Sequence, residues 1–228
     1  MLAATIMMIM LVCLSACDGK QPNVQQKLEN TDKITGDSIR IVTTVFPEYD
    51  WVREILGDNT DHAEITLLID NGVDPHSYQP TTEDILKIST CDLFLYVGGE
   101  SDAWVNDILA QAANQEMVTV NLLDVLGDRV KEEELTEGME AEENAEEEPE
   151  SDEHVWLSLR NATLFVEHIA DVLADMDAAN AQRYKNNADI YCDKLEVLDK
   201  EYKATVDAAP MGTLLFGDRF PLRYMVDD

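Results

Sequence analysis

Two of the four histidines in this 228-residue chain stand where an imidazole can take part in chemistry. His76 lies in Asn71-Gly72-Val73-Asp74-Pro75-His76-Ser77-Tyr78-Gln79-Pro80, which its glycine and two prolines mark as a loop. His154 lies in Ser151-Asp152-Glu153-His154-Val155-Trp156-Leu157-Ser158-Leu159-Arg160, where an acidic run gives way to an aromatic residue and then to a helical pattern. Neutral imidazole is the commonest protein donor to divalent transition metals, and carboxylates such as Asp152 and Glu153 favour positive charge nearby. Two such rings facing one hollow would begin a metal site. Each alone also has a bland reading, His154 as a helix-entry residue beside a Trp156 core anchor, because a single ligand makes no site. His168 falls on the polar or flanking side of a helical pattern and reads as structural.

The elements that would carry these rings follow from periodicity. Ile39–Phe46 is β-branched and densely apolar, the mark of a buried strand, and Pro47 closes it. Tyr49, Trp51, Val52, Ile55 and Leu56 recur at helical spacing up to Gly57. A strand over Ala63–Ile69 leads into the His76 loop, and Thr81 or Thr82 can cap the next helix. A strand over Asp92–Val97, a helix over about Trp104–Ala113 and a short strand over Met117–Asn121 follow. This alternation predicts an α/β lobe with a mainly parallel sheet flanked by helices, and such sheets collect ligands beyond the carboxyl ends of their strands. His76 follows the second strand and His154 the loop after the fourth, so both can face one edge.

Further along, Asn161–Met176 is amphipathic through Leu164, Phe165, Ile169 and Leu173. Asp177 is expected to cap a longer helix, Ala178 to about Ala208, with Tyr184, Ala188, Tyr191, Leu195, Leu198 and Tyr202 at steps of three and four. At 1.5 Å per residue it runs to roughly 45 Å, long enough to span two lobes. Pro210 and Gly212 break it, and Thr213–Gly217 reads as a new strand before a loop Asp218-Arg219-Phe220-Pro221.

A formal charge of −31 with 45% hydrophobic residues allows a packed core but argues against nucleic acid or an anionic lipid surface as partner. Much of the excess lies in Lys131–Glu153, whose thirteen acidic side chains show no apolar period and predict a solvated loop. Such a run either keeps the protein soluble or collects cations weakly. Of the cysteines at 13, 17, 91 and 192, the last two lack C-x-x-C spacing and are expected as buried free thiols rather than a disulfide. Residues 1–16 form a short apolar leader, and its Leu14-Ser15-Ala16-Cys17 ending resembles a bacterial lipobox, implying lipid attachment at Cys17. The polar stretch 17–37 would then be a flexible tether.

Taken together, the lipobox, the tether, Asp74-Pro75-His76-Ser77-Tyr78, Asp152-Glu153-His154-Val155-Trp156-Leu157 after an acidic loop, and one long helix resemble the zinc-type metal-binding solute receptors of bacterial ABC importers. The resemblance covers about Ile39 to Asp228. It implies two α/β lobes joined by a rigid helix, with the ion in the cleft between them. Residues 38–176 would be the N-terminal lobe with acidic loop 131–153, 177–209 the linker helix, and 210–228 only the start of a second α/β lobe. It further implies His76 and His154 as metal ligands from the first lobe and Asp218 in place of a third, usually histidine, ligand. Zn2+ is the expected transported ion, with Mn2+ the alternative. A membrane permease of an ABC importer is the implied partner, and the place is extracytoplasmic, with contact to the membrane only through the lipid anchor. An exported zinc metallohydrolase is the competing class, because two histidines and a carboxylate also make a catalytic zinc site. It lacks a His-Glu-x-x-His spacing. A metal-free surface adhesin is the third.

Overall fold

The computed structural model describes residues 38–58, 62–70, 72–133, 151–216 and 220–228. The expected leader, the Cys17 attachment site, the tether, most of the acidic loop and Asp218 lie outside them. Strand β1 (Ile39–Thr43), β2 (Ala63–Leu67), β3 (Leu93–Tyr96) and β4 (Val118–Asn121) form one sheet in the order β2-β1-β3-β4, every pair parallel. The α/β expectation therefore holds. The central strand β3 and the end of β1 are apolar and covered on both faces, as inner parallel strands are, and Leu93, Phe94 and Leu95 have no exposed surface, whereas the edge strands β2 and β4 each keep an exposed position.

The strand order reverses between β1 and β3, and at that point the loops leaving the two strands part and open a crevice. Helix α1 (Phe46–Leu56) starts earlier than its apolar spacing suggests, so the strand before it ends at Thr43 rather than Phe46. Pro47 is tolerated in the first turn, where no intrahelical N–H bond is lost. Helix α2 (Thr82–Thr90) begins with a capping box between Thr81 and Asp84. Helix α3 is only Val105–Leu109, shorter than the expected Trp104–Ala113, and α4 (Leu122–Leu126) follows β4 directly.

Helices α5 (Leu159–Met176) and α6 (Ala181–Asp207) pack along each other and against α1. Phe165 of α5 meets Trp51 of α1 with ring centroids 5.6 Å apart, and Asn187 of α6 donates to the Ile55 carbonyl at 2.9 Å. Asp177 does not cap α6. It ends α5, and its Oδ2 accepts from Asn180 Nδ2 at 2.6 Å and Tyr184 Oη at 2.7 Å, so the long helix starts at Ala181. Beyond Leu195 this helix leaves the packed lobe and exposes Val197, Leu198, Tyr202 and Val206.

One further expectation, the strand over Thr213–Gly217, needs correction. Thr213–Leu215 is exposed and Phe216 half-buried, and the stretch is unpaired rather than a strand, because strand geometry needs a ladder partner and none of the described strands pairs with it. A short helix, α7 (Arg223–Asp227), which no periodicity in the sequence announced, follows, and its Tyr224 is buried in the lobe at 3% exposure. Cys91 and Cys192 are both free, as anticipated; Cys91 is buried and Cys192 partly so. Burial pushes the Cys91 thiol up to about 12, so it packs as an inert small hydrophobe.

Candidate metal centre

His76 sits in a one-turn 3-10 segment, Pro75–Ser77, for local reasons. Asp74 caps the turn by accepting from the His76 N–H at 3.1 Å, and Pro75 fixes the backbone between them. Its own ring is exposed, and Nδ1 is 2.9 Å from Ser101 Oγ in the loop after β3. That loop leaves the sheet through Gly98 and Gly99, both at positive φ. At Gly99 a side chain is strained by φ of +81°, and its Cβ would displace the Glu153 side chain that lies against it. The glycine lets Glu153 lie over the loop and accept the Ser101 N–H at 2.9 Å.

His154 is placed by Asp152. This carboxylate is 3% exposed, and its Oδ1 accepts both the His154 backbone N–H and ring Nδ1, each at 2.9 Å. A carboxylate that holds the backbone N–H can only accept, so Nδ1 carries the proton and Nε2 is left as the lone-pair donor. Ser101 similarly occupies Nδ1 of His76. Both rings are thus held at Nδ1 by a neighbour, Asp152 fixing the tautomer of His154 and the Ser101 hydroxyl able to donate or accept at His76, and outer partners of this kind orient metal-binding imidazoles.

The two ring centroids are 5.5 Å apart with the planes inclined by 54°. Two imidazoles bound end-on at about 2.0–2.1 Å to one tetrahedral ion have centroids roughly 5 Å apart. The spacing fits a shared cation. The rings line a cleft of about 240 Å³ together with Glu100, Ser101, Glu133 and Glu153. It is lined by imidazoles with carboxylates at the rim; imidazole nitrogens suit zinc, copper, iron and nickel, and carboxylates harder cations such as manganese. Among the described residues no cluster of three or more His, Cys, Asp or Glu side chains converges, and Asp218, the expected third ligand, lies outside them. The sequence reading missed Ser101. Its signal was the Gly98-Gly99 pair closing β3, which puts the next residues at the same sheet edge as His76.

Beneath the cleft, at the strand-order reversal, lie two buried carboxyl groups. Glu48 has no exposed surface; its Oε2 accepts the Thr44 N–H at 2.8 Å, the Val45 N–H at 3.2 Å and the Thr44 hydroxyl at 3.1 Å, while Oε1 is buried without a partner. Burial, and then the nearby Asp102 charge, push Glu48 up to about 8. Asp102 accepts the Gly98 N–H at 3.0 Å, and burial pushes it up to about 6, with the Glu153 carboxylate adding to the effect.

The fold and the site together are thus a parallel α/β lobe with two histidine rings side by side at the carboxyl edge of its sheet. The chain belongs to the ZnuA family, described as zinc-uptake complex component A, periplasmic, which it matches over residues 41–228. It is 32% identical over 179 residues to the zinc-binding protein AdcA of Streptococcus pyogenes serotype M3, covering 75% of this chain and 34% of that protein. It is 33% identical over 186 residues to the high-affinity zinc uptake system protein ZnuA of Bacillus subtilis, covering 76% of this chain and 53% of that protein. The crystal structure of Zn(II)-bound AdcA from Streptococcus pneumoniae aligns with a TM-score of 0.59 at 30% identity, covering 75% of this chain and 33% of that one. The chain thus spans about a third to a half of the length of these relatives.

Proposed function

We propose that this protein is an extracytoplasmic receptor that captures zinc as cargo and hands it to the membrane permease of an ABC importer. The observation that carries the reading is the pair of rings 5.5 Å apart, each with Nδ1 already engaged by a neighbour. His76 and His154 supply two nitrogen donors, and Asp218 is the candidate for a third, oxygen, donor. Zinc is favoured over manganese by the two imidazoles and by the zinc named in the relatives. Capture needs no proton transfer or bond cleavage. Ser101 and Asp152 keep the rings aimed, and the rim carboxylates Glu100, Glu133 and Glu153 raise the local concentration of cations.

In this reading Cys17 carries the lipid, 17–37 tethers the receptor near its permease, and 177–209 is a rigid link between the lobe 38–176 and a second lobe beginning at 210. A continuous helix permits only small lobe movements on release. The test is thermal unfolding of the purified chain with zinc, with manganese and with chelator. Zinc at a hundredfold over its Kd adds about 2.7 kcal/mol to stability. A larger melting shift with zinc than with manganese is expected; no shift with either metal would defeat the proposal.

A further inference from the structure

The helix α7 touches the candidate centre from behind, through the residue that orients His154. Tyr224 is 3% exposed, and its hydroxyl donates to the Asp152 carbonyl at 2.9 Å while accepting the Lys131 backbone N–H at 2.9 Å. Lys131 and Asp152 are the two ends of the acidic segment, already joined by Asp152 N–H to the Lys131 carbonyl at 2.8 Å and by an antiparallel bridge between Glu132 and Ser151. One hydroxyl therefore bonds both ends at once. Around it, Arg223 donates to the Glu132 carbonyl, Lys131 Nζ pairs with Asp227, and Ser158 Oγ donates to Asp228 Oδ2 at 2.5 Å. Every one of these contacts falls on the segment that carries Asp152 and His154 or on its partner across the bridge.

We propose that Tyr224 is a positioning residue for the metal centre: its hydroxyl fixes the Asp152 backbone, and through the Asp152 carboxylate it sets which nitrogen of His154 faces the ion. Asp152 has little else to hold its main chain. Its N–H goes to Lys131 and its carbonyl to Tyr224, so removing the hydroxyl frees one of two anchors and leaves a buried carbonyl and a half-buried N–H without their partner. His76 is held by Ser101, which meets the clamped segment only through the Glu153 side chain. The clamp should therefore act more on His154 than on His76.

The inference rests on the zinc-site reading only for its effect on affinity, since the orientation of His154 can be read without metal. The experiment is long-range 1H–15N correlation of the histidine rings in the full chain, metal-free, for the wild type and Tyr224→Phe, followed by zinc titration against a competing chelator. Removing an outer partner of a metal-bound histidine costs about 10- to 100-fold in affinity, and an effect relayed through one more residue should be smaller, about three- to tenfold. In Tyr224→Phe the His154 ring is expected to move from a single Nδ1–H form toward a mixture, with smaller changes at His76. Asp152→Asn should move the same resonances further. Arg223→Met, which loosens α7 without altering the Tyr224 ring, should move them less and covers the case in which Tyr224→Phe fails to fold. Unchanged His154 resonances in both α7 variants would overturn the proposal, and so would equal changes at His76 and His154. A wild type that takes no zinc, with His154 still shifted by Tyr224→Phe, would sink the zinc reading and leave the clamp standing.

Discussion

Glu48 makes the stability of this lobe depend on pH in a direction opposite to the usual carboxylate. Its folded value, about 8, lies above its ordinary value of 4.5, so the folded state holds a proton that the unfolded state has lost. Stability is then full below about pH 4.5 and falls as pH rises through 8, at a slope approaching 1.36 kcal/mol per pH unit. Asp102 behaves the same way in a lower window, between its ordinary 3.8 and about 6. Between pH 6.5 and 8.5 Asp102 is mostly charged, and integrating the Glu48 titration alone gives a loss of about 2 kcal/mol. Glu48→Gln removes that titration while its amide oxygen can still accept from Thr44 and Val45. Urea unfolding of wild type and Glu48→Gln at pH 6.5 and 8.5 provides the assay. The wild type should lose about 2 kcal/mol more than the variant across that interval. Parallel stability profiles for the two proteins would refute the reasoning, since they would mean that Glu48 ionises in the folded state as easily as in water.

Two further predictions concern the cleft. Ser101→Ala releases Nδ1 of His76 and should weaken zinc binding by about tenfold or more in a competition titration, with little change in melting temperature because the ring is exposed. Gly99→Ala forces a Cβ against Glu153 at a positive φ; it should lower stability by about 1–3 kcal/mol in urea unfolding and free the Ser101 N–H, so an unaffected variant would contradict the described packing.

The sheet and the long helices were legible because their signals are local. Ile39–Thr43 and Leu93–Tyr96 are apolar runs bounded by breakers, and α5 and α6 repeat their apolar residues over many turns. The two histidines were legible because a loop after a parallel strand must emerge at one known edge. What failed was decided by tertiary partners. Thr213–Phe216 has the composition of a strand but no neighbour to pair with, whereas Arg223–Asp227 is too short to signal a helix and exists because Tyr224 finds a buried acceptor. Asp177 looked like an N-cap by type; Asn180 and Tyr184 instead draw its carboxylate back across the turn. Ser101 and Glu48 could not be singled out from spacing, because a serine in a loop and a glutamate in a first helical turn are ordinary until burial and contacts show what they hold.

The account stands or falls on the ligation of one ion by two rings far apart in sequence. Zinc K-edge X-ray absorption on the chain loaded with one equivalent of zinc, compared with His76→Ala and His154→Ala, tests it most directly. Two imidazoles at about 2.0–2.1 Å are expected in the wild type and one in each variant. An imidazole count that stays the same in either variant would show that the ion is held elsewhere.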